Sequence, residues 1–295
     1  MVSVSIVGPG RVGGALAVSL PLDKYHVERL VFRGDNDLSS ITRYHARQPE
    51  LIRIEELKKI SSDVIFITTQ DPLIVKVANE IAPKIAGNPT VFHTSGSYPS
   101  SVLDELKTVG CDTGSLHPLV SISSPELGPT RFPKAFFCVE GSQKAVEIGE
   151  TIAKDLGGRP FSIDTKFKTL YHAAAVTACG HLVALFDSAV EMMTKCGLSA
   201  DQSKDILMPL VTSTVQNLSE QSTSAALTGT FARADIETFT RHLTALNENV
   251  SDDLLETYLL LGERSLELAA KQGVSAERID KLRAKVSIAK SKLKW

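Results

Sequence analysis

Through the first half of the chain, short runs of β-branched and apolar residues alternate with stretches of helical spacing. Residues 2–7, 27–33, 63–69, 90–94 and 135–140 have the dense Val, Ile, Phe and Thr content of strands. Between them, residues 13–20, 73–85 and 100–109 read as helices, the second opening after Asp71-Pro72. Strands that alternate with crossover helices build a parallel sheet. Leu156-Gly157-Gly158-Arg159-Pro160 breaks the pattern, and residues 161–163 make a last short strand. From Lys166 onward the β signals stop. Helical patterns then cover 166–196, 201–221, 235–248, 251–272 and 276–293, with Gly197 and Gly273 where glycines commonly close helices. The pattern predicts an α/β domain over 1–163 and an all-α domain over 164–295. Residues 121–133, rich in Ser, Pro and Gly, read as a long surface loop of the first domain.

Composition narrows the classes of function. Of 295 residues, 43% are hydrophobic and 22% charged, enough to bury a sizeable core. The formal net charge of −2 offers no bulk attraction to nucleic acid or to an anionic membrane, so neither is an expected partner. With aromatics at 6%, clefts that work by base or sugar stacking are disfavoured. Cys111, Cys138, Cys179 and Cys196 are far apart, which argues against a disulfide framework and for a reducing, cytoplasmic setting. No histidine pair has metal-ligand spacing on a predicted element, so the expected metal content is none. Residues 173–193 are the most apolar stretch, but His181, Asp187 and Glu191 interrupt it, and it reads as a buried helix.

The chemistry starts at the first strand. Val2 to Val7 leads directly into Gly8-Pro9-Gly10-Arg11-Val12-Gly13-Gly14, followed by Ala-Leu-Ala-Val. A G-x-G-x-x-G loop between a strand and a helix is the dinucleotide fingerprint. One glycine permits the tight turn, one lets backbone approach a pyrophosphate, and one lets helix and strand pack closely. The helix N-terminus then supplies N–H groups to the phosphates. About 20 residues on, the second strand ends at Arg33 rather than at a carboxylate. A guanidinium suits a 2′-phosphate, with Arg11 close enough to assist, and the expected cofactor is NADP. Asp35 supports the competing NAD reading, and Glu28 lies mid-strand. The remaining strand ends offer Thr68, Thr69, Gln70, Thr94 and Ser95 for ribose and carboxamide contacts, while Asp71-Pro72 also suits a helix cap.

In the helical half, Lys168 and His172 are four residues apart and share a helix face. Hydride reduction of a carbonyl or imine needs a proton donor, and burial can bring a lysine pKa toward neutrality. A surface lysine and a satisfied core histidine are the plain alternative. His117 is a secondary candidate for substrate contact or a structural loop histidine. Arg233 and Asp235 either bind a substrate carboxylate or pair with each other. Residues 278–295 hold seven basic side chains against Asp280 alone, yet Ile279, Leu282, Val286 and Ile288 form an apolar stripe suited to packing.

These features resemble a superfamily that joins a Rossmann domain, a doubly wound parallel sheet, to an all-helical domain. It includes 6-phosphogluconate dehydrogenase, ketopantoate reductase and pyrroline-5-carboxylate reductase. Lys168-Thr-Leu-Tyr-His172 looks like the K-x-x-x-N motif of the β-hydroxyacid dehydrogenases, with His in place of Asn. Closer still is the similarity to a family with a Rossmann-like domain and domain of unknown function 2520. Gly114-Ser-Leu-His-Pro-Leu119, Tyr171-His-Ala-Ala-Ala-Val176 and Ala226-Leu-Thr-Gly-Thr230 carry it, together with Arg233, Asp235, Thr238 and Arg241-His-Leu243. The chain departs from that family at Thr230, usually Pro. Ala234 stands within a usual R-G-D, and Ala178-Cys179-Gly180 replaces an Asn-containing segment. The resemblance implies an NADP-dependent oxidoreductase acting on a small molecule between the domains, and a homodimer formed through the helical domain. Lys168 would polarise or protonate the substrate, His172 would orient it, and Arg233 and His117 would make secondary contacts. Two alternatives remain: a non-catalytic NADP sensor acting through a protein partner, and a methyltransferase, which Arg33 disfavours.

Overall fold

Val2–Val7 is the central strand β1, and its position organises the first half of the molecule. The computed structural model describes residues 1–35, 37–291 and 293, which divide into compact units of residues 1–180 and 181–295. In the first unit β1 is followed by β2 (Tyr25–Phe32), β3 (Glu50–Arg53), β4 (Val64–Ile67), β5 (Thr90–His93), β6 (Asp112–Leu119), β7 (Phe136–Gly141) and β8 (Arg159–Phe161). They form one sheet in the order β3-β2-β1-β4-β5-β6-β7-β8. Strands β1 to β6 are parallel, β7 runs antiparallel to β6, and β8 runs parallel to β7. Strand order reverses between β1 and β4, so the switch-point crevice opens at their carboxyl ends, after Val7 and Ile67.

Helices α1 (Arg11–Ser19), α2 (Ser39–Thr42), α3 (Ile74–Ile81), α4 (Asp104–Lys107), α5 (Gly128–Arg131) and α6 (Gln143–Asp155) flank the sheet. One apolar layer packs Val4, Ile6, Leu16, Phe66 and Phe92 together, and the other packs Val31, Ile65, Ile67, Ile74 and Ile81. Each fully buried Phe or Ile contributes about 1.5–3 kcal/mol. A sheet covered on both faces accounts for near-continuous apolar strands such as Val64–Ile67, all four of them buried.

Two strands lie outside the expected set. β3 is a four-residue edge strand reading Glu-Leu-Ile-Arg, too short and polar to register. β6 contains Gly114, Ser115 and Pro118, residues that argue against a central strand. Tertiary packing overrides them: a Cβ on Gly114 would stand 2.8 Å from Phe92 and 3.0 Å from Ala145 of α6, so the strand needs glycine there. The expected long loop at 121–133 is anchored. It holds α5, buries Phe132 completely, and brings Gly128 against Ala15 and Pro125 against Gly14 of α1.

Helix α7 (Lys168–Lys195) begins in the first unit and ends in the second, so the first unit extends beyond the last strand, where the sequence pattern changes. The second unit continues with α8 (Ala200–Glu220), α9 (Thr223–Ala226), α10 (Gly229–Ala232), α11 (Ile236–Asn249), α12 (Asp252–Lys271) and α13 (Ala276–Lys290). Ser199 and Gln202 form a capping box on α8, and Asp235 caps α11 through the Thr238 N–H. Gly197 and Gly273 take φ of +91° and +89°, the left-handed turns expected of them. Leu246, Leu255, Leu259, Ile279, Leu282 and Val286 form this unit's core, which places the basic terminal helix against the protein. Lys292, Lys294 and Trp295 of the tail lie outside the described residues.

The apolar stretch at 173–193 is not buried within the chain. Lys168 is the one buried residue of α7, while Val176, Leu182, Val183 and Leu185 are exposed. By length and composition this helix is apolar enough to cross a membrane.

Candidate dinucleotide cleft and histidine–tyrosine cluster

Each glycine of the first turn meets a different constraint. Gly8 adopts φ +92°, and a Cβ there would stand 2.8 Å from Thr69 Cγ2. At Gly13 a Cβ would collide with Thr68 Oγ1 and lie 2.7 Å from the Gly8 carbonyl oxygen. That close fit is held by the Thr68 hydroxyl, which donates to the Gly8 carbonyl at 2.6 Å. Gly10 differs. A Cβ on it would come no nearer than 4.0 Å to any atom beyond its chain neighbours, so side-chain packing does not demand glycine there.

Above Gly10 opens a cleft of about 600 Å³ lined by Gly8, Pro9, Gly10, Arg11, Arg33, Thr68, Thr69 and Gln70. The structure thus gathers eight of the expected cofactor residues around one space, with Val12 and Gly13 in the first turn of α1 beside it. No side chain caps α1, and Thr69 Oγ1 is buried without a hydrogen-bond partner among the described residues. An uncapped helix start, an orphaned hydroxyl and a glycine with open space over it fit a pyrophosphate group.

Several expected contacts are arranged differently. Arg33 does not stand open to a phosphate: its Nη1 donates to Glu55 and its Nη2 to Glu80, each at 2.7 Å. Asp35 pairs with Arg53 at 2.5 Å, and Glu28 accepts from the Ser62 hydroxyl at 2.6 Å. Thr94 is half-buried, with its N–H bonded to the Ile67 carbonyl. Ser95 is buried and committed to the fold. Its hydroxyl donates to Asp71 at 2.8 Å and accepts the N–H groups of Ser97 and Tyr98. The Ser95 hydroxyl is therefore withdrawn from cofactor contact, and Asp71 shapes the turn after β5 as well as starting a helical turn.

The second cluster forms where α7 meets the ends of β5, β6 and β7. Lys168, only 1% exposed, donates to the Ser115 hydroxyl and to Glu140 at 2.9 Å. Glu140 also accepts the Ser100 N–H at 2.7 Å and its hydroxyl at 2.6 Å. Burial pushes the Lys168 ammonium below its usual pKa, opposed by Glu140. The structure places the Lys168 ammonium inside the fold, bonded to Ser115 and Glu140, rather than on the helix surface. Its work is to fasten the start of α7 to the sheet.

One turn on, Tyr171 and His172 stand on the outer side of that anchor. His117 Nδ1 and the Tyr171 hydroxyl are 2.8 Å apart, and the His117 ring meets the His172 ring edge-on with centroids 5.9 Å apart. Gly96 makes the cluster possible, because a Cβ there would stand 2.5 Å from His172 Cδ2 and 2.7 Å from His117 Cε1. Burial, reinforced by the Lys168 charge, lowers the His117 pKa to about 3, so its imidazole is neutral. Burial also raises the Tyr171 pKa, so its phenol keeps its proton. Lys168, His172 and His117 thus converge, whereas Arg233 belongs to the second unit. There it lines a shallow pocket with Asp235, Ser275 and Arg278. Its neighbour Ala234, where the resembling family has glycine, is buried with φ +45°, a left-handed conformation that glycine adopts more easily.

Sequence reasoning missed Tyr171, Ser115 and Glu140. Tyr171 and Ser115 lie inside segments that carry the family resemblance, but no spacing rule pairs β6 with a helix more than fifty residues later. Glu140 at a strand end gave no signal of its partner.

Comparison with known proteins agrees with this layout. A Rossmann-like domain matches residues 1–118, and a domain of unknown function, DUF2520, matches residues 135–265. A candidate NADP oxidoreductase from Bacteroides fragilis is similar in structure, with TM-score 0.72 and 20% identity over 90% of this chain and 98% of that one. Pyrroline carboxylate reductase from Plasmodium falciparum, solved with NADP bound, gives 0.57 and 15% over 96% and 97%. A reductive aminase from Aspergillus terreus, in complex with NADPH and ethyl-5-oxohexanoate, gives 0.56 and 17% over 98% and 93%. No curated protein matches in sequence. At these identities the likeness concerns the fold, in which residues 1–118 match a Rossmann-like domain and residues 135–265 match DUF2520.

Proposed function

We propose that the protein is an NADP(H)-dependent reductase of a small imine or carbonyl compound. The observation that carries this reading is the Gly10 cradle at the switch point, in the same unit as a protonated tyrosine held by a neutral histidine. The first turn of α1, Thr68 and Thr69 would hold the pyrophosphate, with Arg11 beside it. In a sheet of this order the adenine half lies toward β2 and β3, and the nicotinamide half toward β4 and β5. That direction leads to Thr94, Gly96, His117 and Tyr171. The fold likenesses include a pyrroline carboxylate reductase with NADP bound and a reductive aminase in complex with NADPH and ethyl-5-oxohexanoate, which supports this substrate class.

When bound, the reduced cofactor supplies the hydride. This chain supplies the proton. Tyr171, neutral and fixed by His117, donates its phenolic proton to the substrate nitrogen or oxygen as the carbon is reduced, and solvent returns a proton to the phenolate. His172 flanks the reacting group. Gly96 lets the two histidines pack closely against the β5 turn. The sensor reading gains support from one feature, the burial of Lys168, which leaves this helix face without an accessible amine.

The test is NADPH oxidation by the purified protein against a panel of small ketones, keto acids, imines and ketone–amine mixtures. Turnover is expected with at least one, and Tyr171→Phe should lower kcat by about 100-fold while leaving the NADPH Kd within about twofold. Silence across the panel sinks the reductase in favour of the sensor. Full activity of Tyr171→Phe removes the tyrosine from its role.

We also propose that a second copy of the chain covers α7, in a cytoplasmic homodimer. Leu182, Val183, Phe186, Val190, Met208 and Val211 of α7 and α8 line an apolar groove of about 520 Å³. An exposed apolar surface of this extent is rare on a soluble monomer. A cytoplasmic setting suits the four free cysteines. Sedimentation should give twice the chain mass. A monomer in solution, or recovery with the membrane fraction of cells, would overturn this.

A further inference from the structure

Arg33 lines the cleft where a phosphate would be read, yet its guanidinium is bonded to two carboxylates. Arg11 and Asp37 also line the cleft, and Arg53 pairs with Phe32 beside the end of β2. Arg53 is taken up by Asp35. Arg33 is held from two sides: Glu55 approaches from the segment after β3, and Glu80 from α3. Each carboxylate accepts one N–H from a different terminal nitrogen, and those nitrogens are the ones a bidentate phosphate contact uses. Of the three side chains, Glu80 is the most enclosed at 26% exposure, against 52% for Arg33 and for Glu55.

We propose that Glu55 and Glu80 are specificity-determining residues: they latch the Arg33 fork, compete with a 2′-phosphate for it, and narrow the preference for NADP(H) over NAD(H). The physical reason lies in the difference between the two dinucleotides at this point. A phosphate dianion must win the guanidinium from a carboxylate and then sit within range of the displaced negative charge. A free 2′-hydroxyl can donate to a carboxylate and leaves the latch closed. The latch therefore penalises the phosphorylated cofactor alone. It acts on Arg33 in opposition to that residue's own attraction for phosphate.

The proposal rests on the dinucleotide reading of the cleft, and one set of titrations separates the two. NADPH and NADH binding is measured by fluorescence on the full chain, on Glu55→Gln, Glu80→Gln and the double variant, at low and high salt. NADPH should bind about threefold more tightly in each single variant and roughly tenfold more tightly in the double variant, with the NADH Kd nearly unchanged. The gain should shrink at high salt and vanish when the same changes are made beside Arg33→Ala. Equal shifts for both dinucleotides, no shift, or a gain that survives Arg33→Ala each overturn the latch while leaving the cleft's identity intact. Failure of the wild type and every variant to bind either dinucleotide overturns both. Thermal melts of the variants report the fold directly, and a purely structural role for the pair would lower the melting temperature without altering the NADPH to NADH ratio.

Discussion

A Gly10→Val variant is expected to melt within about 2 °C of the wild type and to lose dinucleotide affinity by about 100-fold. The two halves of that result have separate causes. A Cβ on Gly10 comes no nearer than 4.0 Å to any atom beyond its two chain neighbours. Stability should therefore hold, as for other exposed substitutions. The added side chain instead fills the space over the first turn of α1, where a pyrophosphate would rest on the backbone N–H groups. Gly13→Val is the natural contrast. Its Cβ would strike Thr68 and the Gly8 carbonyl, so overpacking should cost about 3 kcal/mol and lower the melting temperature outright. Thermal denaturation together with NADPH fluorescence titration reads both effects. A Gly10→Val protein that binds NADPH within threefold of the wild type would remove the cradle from its role.

The protein is also expected to lose stability between pH 6.5 and pH 3 through two histidines, before most carboxylates titrate. His93 is fully buried. Its Nδ1 accepts the Ser95 N–H at 3.1 Å, and its Nε2 lies 3.2 Å from the Pro99 carbonyl. That arrangement fits the neutral Nε2–H tautomer, because a proton on Nδ1 would break the first bond. Burial and the nearby Lys168 charge lower the pKa of His93, like that of His117, to about 3. Below pH 6.5 the unfolded chain takes up protons on both imidazoles while the folded chain does not. The unfolded state then binds more protons, so stability falls as pH falls through this window. At about 1.4 kcal/mol per unit and per group, the two histidines cost up to about 4 kcal/mol by pH 5. Guanidinium midpoints should drop between pH 7.5 and pH 5, and His93→Gln should remove roughly half of the pH dependence. A midpoint that does not move over this range would contradict the neutral, buried pair.

Where the chain's local pattern and its fold agree, the reason is that the signal was local. The alternation of strand and helix, the glycine turn after β1, and the glycines closing α7 and α12 each depend on residues within a few positions of one another. All survive in the structure, and five long helices of the second half begin and end within a few residues of the expected places. Strand β6 shows the limit. Gly114 and Pro118 speak against a strand locally, and only Phe92, Ala145 and the β5 ladder make one.

The candidate site divides in the same way. Glycines and strand-end hydroxyls of the cleft were legible because a phosphate-binding turn is a contiguous stretch of backbone, specified by which residues lack a Cβ. Arg33 was visible as a charge, but its two glutamate partners come from 22 and 47 residues further on. Lys168 and His172 were correctly placed on one face of a helix, yet spacing says nothing about which side of that face reaches water. Burial decided it: Lys168 turns inward to Ser115 and Glu140, and Tyr171 takes the outward place with His117. The sequence by itself determined a parallel α/β domain with a dinucleotide-type first turn, followed by a helical domain, because periodicity and glycine placement are properties of neighbours along the chain. Only the tertiary structure decided which polar groups stay free to do chemistry, because hydrogen-bond partners and burial arise from residues that the sheet order brings together.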